Sequence, residues 1–469
     1  MPLLGLELND TGILAAGGKP AQLLDVEAGE KESPGFALAH TDQLILGKDA
    51  HDSARLHPRL YTNRFWDELS AEQIKQPALE GKTNAELAYL HLARIWDRLK
   101  GYGDEIVLAV PGFFSHKQLG LILGITNELS MPVKGFAATA IASSTEPHPE
   151  HLLFYLDVHL HRLEITFLEQ GDQLTHKETK TIPGKGLHYL YTEWIKAIAD
   201  EFVRSTRFDP FDQAIYEQEL FRCLPQVLKD LKGNPSTTFS MKAGSQIHSV
   251  ILTYDLFARK SKLVFREVYH LIEEMKKRYG TAEMASVLEV SHRFSPLPGY
   301  REELDKLPNG QVVELETGSG ARGLIALKDR FSTQAAEGVS FLTSRPWQRG
   351  PQPPAVSTKT VGTGPQKPTH ILYKYRAYPL SANPLIIAKG SSEDISFASN
   401  EQPAAGSGKH CTIHVSGDDV VLTNCSTAGT YVDTAKVAQT TLLQLGQTIR
   451  LDPSGEELKL IVCVSTDET

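Results

Sequence analysis

The chain runs to 469 residues, too long for a single hydrophobic core, so two or more domains are expected. Hydrophobic residues at 41% and charged residues at 22% exclude a disordered chain, and a formal charge of -9 argues against nucleic acid as a main partner, because phosphate binding needs clustered Lys and Arg. The opening residues lack the basic flank and long apolar run of a secretory leader, and no stretch of about 18 apolar residues occurs, so membrane insertion is not expected.

Taken in chain order, EIVLAV (Glu105 to Val110) is a short buried-strand run stopped by Pro111 and Gly112, and KQLGLILGITNEL after it has helical character. LDVHLHRLEITFLEQG (Leu156 to Gly171) has the rhythm of two strands joined by a tight turn, with HLHR where glycine is the usual choice. Leu187, Leu190, Tyr191, Trp194, Ile195, Ile198 and Phe202 follow helical spacing on one face, and Val264, Val268, Leu271, Ile272 and Met275 mark another helix. Such alternation implies an α/β domain over residues 1–343. A Pro- and Gly-rich stretch over 344–370 reads as a semi-rigid linker. Beyond it, over 371–469, short β-rich runs separated by SGDD, TAGT and PSGE predict a small β-sandwich.

Four cysteines, Cys223, Cys411, Cys425 and Cys463, lack the C-x-x-C spacing of a zinc site. Buried thiols or a disulfide among the last three are the two readings, and a reducing cytoplasm is the expected compartment. No internal repeat is evident in the sequence.

Four stretches of residues 1–335 together resemble the nucleotide-binding domain of the seventy-kilodalton heat-shock chaperones, within the actin-like ATPase superfamily. They are LGLELNDTGILAA, then IVLAVPGFFSHKQ with LSMPVKGFAATAIASS, then FYLDVHLHRLEITFLEQG with IPGKGLHYLYTEWIKAIADEF, and last VLEVSHRFSPLPGYREELDKL with ETGSGARGLIALKD. The resemblance implies a two-lobed, ribonuclease H-like fold in which two hairpins grip phosphates through backbone N–H groups. Glycine is needed there, because a Cβ would hold the chain away from the phosphates.

Carried over by this resemblance, Asp157 stands on a carboxylate that organises the metal, and Glu7 stands where the first hairpin has Asp. Asn9 replaces a hairpin glycine, with Thr11 and Gly12 keeping part of its character. His159, Leu160 and His161 replace the glycines of the second hairpin, and Arg162 follows where a small hydroxyl is usual. The water-positioning acid falls near Gly135 and the catalytic lysine near Asn63, while Val290 and Ser291 replace the glycine pair beside the adenosine. Losing such charged groups forfeits about 3 kcal/mol or more of transition-state stabilisation apiece. A degenerate, non-catalytic domain is therefore expected, needing no cofactor, with ATP and magnesium as the alternative. His159 and His161, two apart on a strand, would share a face, which leaves open a metal held together with Asp157. The other reading is that both imidazoles fill the old cleft.

From about Tyr373 onward the chain resembles a forkhead-associated (FHA) domain, on PLIIAKGSSEDISF, SGKHCTI, LTNCSTAGTYVD and LLQLGQTIRL in that order. That family binds phosphothreonine peptides through loops at one end of a sandwich. The resemblance places Lys389 where arginine contacts phosphate, matches Ser407, His410, Ser426, Thr427 and Thr430, and puts Ala428 where an asparagine holds the peptide backbone. Lysine offers a point charge without the arginine fork, and alanine makes none of the asparagine's hydrogen bonds. A phospho-independent surface, with His410 packing only, is the competing reading. The whole is expected to be a non-catalytic cytoplasmic adaptor or scaffold for protein partners. A phosphothreonine-dependent adaptor and a nucleotide-dependent chaperone-like switch are the alternatives.

Overall fold

The first strand, β1 (Leu3–Glu7), is buried at every position, which explains why LLGLE runs apolar instead of alternating. In the computed structural model it pairs antiparallel with β2 (Ile13–Gly17), and β2 with β3 (Gln22–Leu23). On its other side β1 takes β4 (Glu105–Val110) and then β5 (Val133–Ala138) in parallel. A second sheet repeats the plan. There β6 (Leu152–Val158), β7 (Arg162–Gln170) and β8 (Gln173–Pro183) form the antiparallel meander, and β6 takes β9 (Ser286–Val290) and then β10 (Gly310–Glu314) in parallel. Both sheets thus run third, second, first, fourth, fifth, a duplication that no sequence repeat announces.

The structure describes residues 3–40, 43–281, 283–331, 339–347, 367–373, 376–389, 395–397, 409–417, 419–426, 429–433, 435–445, 447–451 and 457–461. They fall into two units, Met1–Gln352 and Pro353–Thr469. The first is mixed α/β. Its first sheet is covered by Asn84–Leu99, capped by the Thr83 hydroxyl, and by His116–Glu128, which opens on a Ser115/Gln118 capping box. Leu87, Leu92, Ile95 and Ile122 from these helices meet Leu4, Leu6 and Leu108 of the sheet.

The second sheet is covered by Leu187–Thr206, Ala214–Leu231 and Tyr254–Tyr279, with Trp194, Phe202, Phe257 and Phe265 in its core. Of the predicted helical face, Leu190, Trp194, Ile195, Ile198 and Phe202 are buried, while Leu187 and Tyr191 line a cleft. Asn84–Leu99, Ala214–Leu231 and the hairpin Ser236–Ala243 with Gln246–Thr253 were not foreseen.

Each half of the first unit ends on a short helix, Thr139–Ser143 after β5 and Ser319–Ala326 after β10. They pack into one shared cluster with residues of both sheets, among them Ala109, Ala137, Tyr155, Leu168 and Leu324. Glycine makes the approach: a Cβ on Gly323 would overlap the Ala142 carbonyl, and one on Gly5 the Ala321 carbonyl.

Ser344–Pro346, read above as the start of the linker, is an edge strand on β8, and Trp347 is buried with its indole N–H on Gln170 Oε1 at 3.1 Å. An edge strand tolerates the terminal proline that made the stretch look like spacer. Residues 348–366 lie outside the described set. The second unit is β-rich, with one sheet running through His370–Tyr373, Glu457–Ile461, Thr448–Leu451 and Thr430–Val432. The other runs through Leu385–Lys389, Lys409–Ser416, Asp419–Asn424 and Thr440–Leu443. Ile371, Ile387, Ile413, Leu422, Ile449 and Leu458 form its core. Cys411 is a buried thiol, Cys223 is half-buried and Cys425 is exposed; all three are free, and Cys463 lies outside the described residues. Among the described residues, no helix is long and apolar enough to cross a membrane.

The helix contact is testable. Gly323→Ala is expected to destabilise the protein by about 1–3 kcal/mol, since backbone must move. Gly124→Ala, where an added Cβ meets nothing within 4 Å, is expected to leave the melting temperature unchanged or slightly raised. Thermal melts of the two variants side by side check this.

Candidate functional site

The turns of the two equivalent hairpins, β1–β2 and β6–β7, meet. In the first, Asn9 acts as a turn-former: its Oδ1 accepts from the Thr11 N–H (2.9 Å) and hydroxyl (2.7 Å). Its Nδ2 crosses to the second hairpin, donating to Val158 O and Asp157 Oδ2, each at 3.1 Å. Asp10 crosses as well, its carboxylate accepting the Leu160 N–H at 2.8 Å. The second turn, residues 159–161, is clamped from behind by three backbone bonds: Gly184 N–H to His161 O, Leu187 N–H to His159 O and His188 N–H to Leu160 O. Gly186 must be glycine here, because a Cβ would strike the turn's backbone at His159, His161 and Arg162.

His159 and His161 therefore sit in the turn, and not on a strand with a shared face as the metal reading required. They also take different partners. His159 lies between Glu164 (3.2 Å) and Asp10 (3.6 Å), with its ring edge-on to Phe113. Burial opposes charge on this imidazole, but the bonds to Asp10 and Glu164 outweigh it and raise the group from 6.5 to about 10. Burial likewise acts against the Asp10 and Glu164 carboxylates, and the His159 partnership reverses it, holding both below their ordinary values. His161 Nε2 donates to Asn63, whose Nδ2 reaches His188 Nδ1 at 3.3 Å. Burial lowers both imidazoles, His188 to about 3.

Asp157 is 1% exposed and its carboxylate is fully engaged by the Val158 N–H, the Ser291 and Tyr155 hydroxyls and Asn9. That leaves no lone pair facing a metal, and among the described residues no group of three or more His, Cys, Asp and Glu is arranged to hold one. Glu7 is also taken. It accepts from Arg293 Nη1 and from the Ala321 N–H (3.1 Å), while Arg293 Nη2 donates to Gly12 O at 2.6 Å. Val290 ends β9 in the core, and Gly135 lies inside β5 with Phe331 and Ser340 as nearest neighbours. Beside the junction a cleft of about 420 Å³ remains, walled by Phe36, Leu160, Tyr191, Phe221, His188 and Arg293.

The structure thus gathers the sequence-chosen residues into separate bonded groups: Asn9, Thr11, Asp157 and Ser291 in one, His161 with Asn63 in a second, His159 between Asp10 and Glu164 in a third, and Glu7 with Arg293 in a fourth. The sequence reading missed Asp10, Glu164 and Arg293, the charged partners in the last two. Asp10 had a local signal, a carboxylate inside the predicted turn; nothing in spacing links Arg293 to a residue 286 positions away.

In the second unit, Lys389 ends strand Leu385–Lys389, its side chain outside the described set, as are Ser407, Thr427 and Ala428. His410 is buried on Lys409–Ser416, and its carbonyl accepts from the Cys425 N–H at 2.9 Å. Asn424, not singled out above, ties Ser426 to Thr430 and to Val437. Its Oδ1 accepts from Ser426 N–H and the Thr430 hydroxyl, and its Nδ2 donates to Val437 O. Gly429 turns the chain at φ 99°, in the left-handed region.

The buried ion pairs set a pH dependence. A group raised from 6.5 to about 10 adds stability fully below pH 6.5, and that contribution drains away as pH climbs to about 10. Asp10 and Glu164, held low, contribute above the carboxylate range and lose it in acid. Urea melts of His159→Gln against the parent should show a loss of about 3–5 kcal/mol near neutrality, since two carboxylates lose their buried partner. The gap should shrink steadily toward pH 10.

No curated protein matches the chain. Residues 390–452 match the model of the FHA domain family, a span that contains His410 and Asn424 and begins one residue after Lys389.

Proposed function

We propose that this protein is a non-catalytic adaptor whose FHA domain captures phosphothreonine-containing proteins, carried on an actin-like domain that has exchanged its nucleotide for internal contacts. The observation that carries the reading is the FHA match over 390–452, since that family is a phosphothreonine-binding interaction module. Ser407 and Lys389 are assigned to the phosphate, His410 and Asn424 to the loops that present them. A lysine neutralises phosphate as a point charge, which lowers affinity relative to an arginine fork without removing it.

For the first unit, the actin-like reading is supported by the strand order used twice and by the equivalent hairpins meeting across the junction. Its lack of turnover is supported by what those hairpins bind. The Leu160 N–H, a donor a phosphate would use, faces the Asp10 carboxylate, and Arg293 spends its charge on Glu7. A cytoplasmic location accords with the free thiols. A second reading, a nucleotide-dependent switch, is favoured only by the cleft beside the junction.

Two measurements decide between them. Millimolar Mg-ATP or ADP should leave the melting temperature unmoved; a ligand at a hundred times its Kd adds about 2.7 kcal/mol, so an upward shift would establish the switch. A phosphothreonine peptide array should yield binders that fail when unphosphorylated and weaken about tenfold or more with Ser407→Ala. Equal capture of both peptide forms would make the surface phospho-independent.

A further inference from the structure

Cations on the helices of the first unit often have an acid within one turn, as in Lys196–Glu193, Arg204–Glu201 and Arg278–Glu274. The helix Tyr254–Tyr279 breaks this habit near its start. Arg259, Lys260, Lys262 and Arg266 are all exposed. Among the described residues only Arg259 has an acidic partner, Asp255 at 3.6 Å, with both side chains mostly in solvent. Positions 259, 262, 263 and 266 share one helical face, so three cations stand as i,i+3 and i,i+4 neighbours. Like charges so placed destabilise the free helix, a cost that an anionic partner reverses. At the centre of these cations is Leu263, 73% exposed, while Val264, Phe265 and Val268 on the other face fill the core.

We infer that this face docks an acidic helical segment of a partner protein, with Leu263 entering an apolar notch and Arg259, Lys260, Lys262 and Arg266 facing carboxylates. The surface is distinct from the FHA loops and goes beyond the adaptor reading. A membrane surface fits less well, because interfacial helices present a broad apolar face and this one presents a single leucine. Nucleic acid fits less well too: the cations occupy two turns bounded by Asp255 and Glu267, and a phosphate track offers nothing to a leucine. Charged rims of this kind set on-rate and salt sensitivity, and the apolar anchor sets residence.

Fluorescence anisotropy with the full chain tests it, using a labelled amphipathic peptide in which glutamates flank a leucine stripe. Saturable binding that falls steeply with salt is expected. Lys262→Glu combined with Arg266→Glu should weaken it about tenfold or more, and Leu263→Ser should weaken it with little change in salt slope. Lys277→Glu, exposed near the other end of the same helix, should bind as the parent does, and all variants should keep the parental melting temperature. No saturable binding, equal loss in Lys277→Glu, or tighter binding to phosphatidylserine vesicles or duplex DNA than to the peptide overturns the inference.

Discussion

A buried backbone N–H at a tight turn must find an acceptor, and Leu160 finds one in a carboxylate from the opposite hairpin. The charged groups of the junction are arranged around that bond. Asp10 is buried, and an unpaired buried carboxylate would be prohibitive, so a cation has to stand beside it; His159 is that cation. His159 in turn needs more than one carboxylate to stay charged in an apolar setting, and Glu164 supplies the second, itself tied to the Gly112 N–H and the Thr166 hydroxyl. Removing any member leaves a charge stranded, which gives the junction its cooperative character.

Much of the fold was legible because burial leaves a period in the sequence. β4 reads as EIVLAV because both faces of a parallel strand are covered, and the helix Leu187–Thr206 shows its stripe because one face meets β-sheet. Asn84–Leu99 and Ala214–Leu231 were harder: the second contains Pro225, an apparent stop that the helix accommodates. The duplicated topology left no sequence trace, since strand order is fixed by burial pattern and connection geometry, and many sequences satisfy the same pattern.

The site was legible in part. Asn9 and Asp157 were singled out through the family resemblance, and the His159–His161 turn because bulky side chains stand where a tight turn ordinarily takes glycine. Arg293 and Glu164 act through space, and charge complementarity between distant positions has no period. Position in the turn was misjudged for the same reason: a two-residue spacing means a shared face only if the segment is a strand, and residues 159–161 are the bend between two strands. In the FHA domain, attention to the loop residues passed over Asn424, whose amide bonds Ser426, Thr430 and Val437 together.

On the proposed reading, magnitudes explain why such a junction would resist a nucleotide. Seating a phosphate at the Leu160 N–H breaks one charge-assisted hydrogen bond and the two that Asn9 makes across the gap, together about 3–5 kcal/mol. A micromolar ligand brings about 8 kcal/mol of binding free energy, so the remainder corresponds to an affinity weaker by two to four orders of magnitude, roughly. The incoming phosphate would also meet the Asp10 carboxylate at close range, a repulsion that a glycine in that turn would not have imposed. Arg293 cannot offset it without abandoning Glu7, which is buried and, among the described residues, otherwise accepts from the Ala321 N–H. On that reading, exclusion of the anion and rigidity of the junction would come from the same few atoms, and a variant that admitted a phosphate would have to surrender the contacts that hold the two turns together.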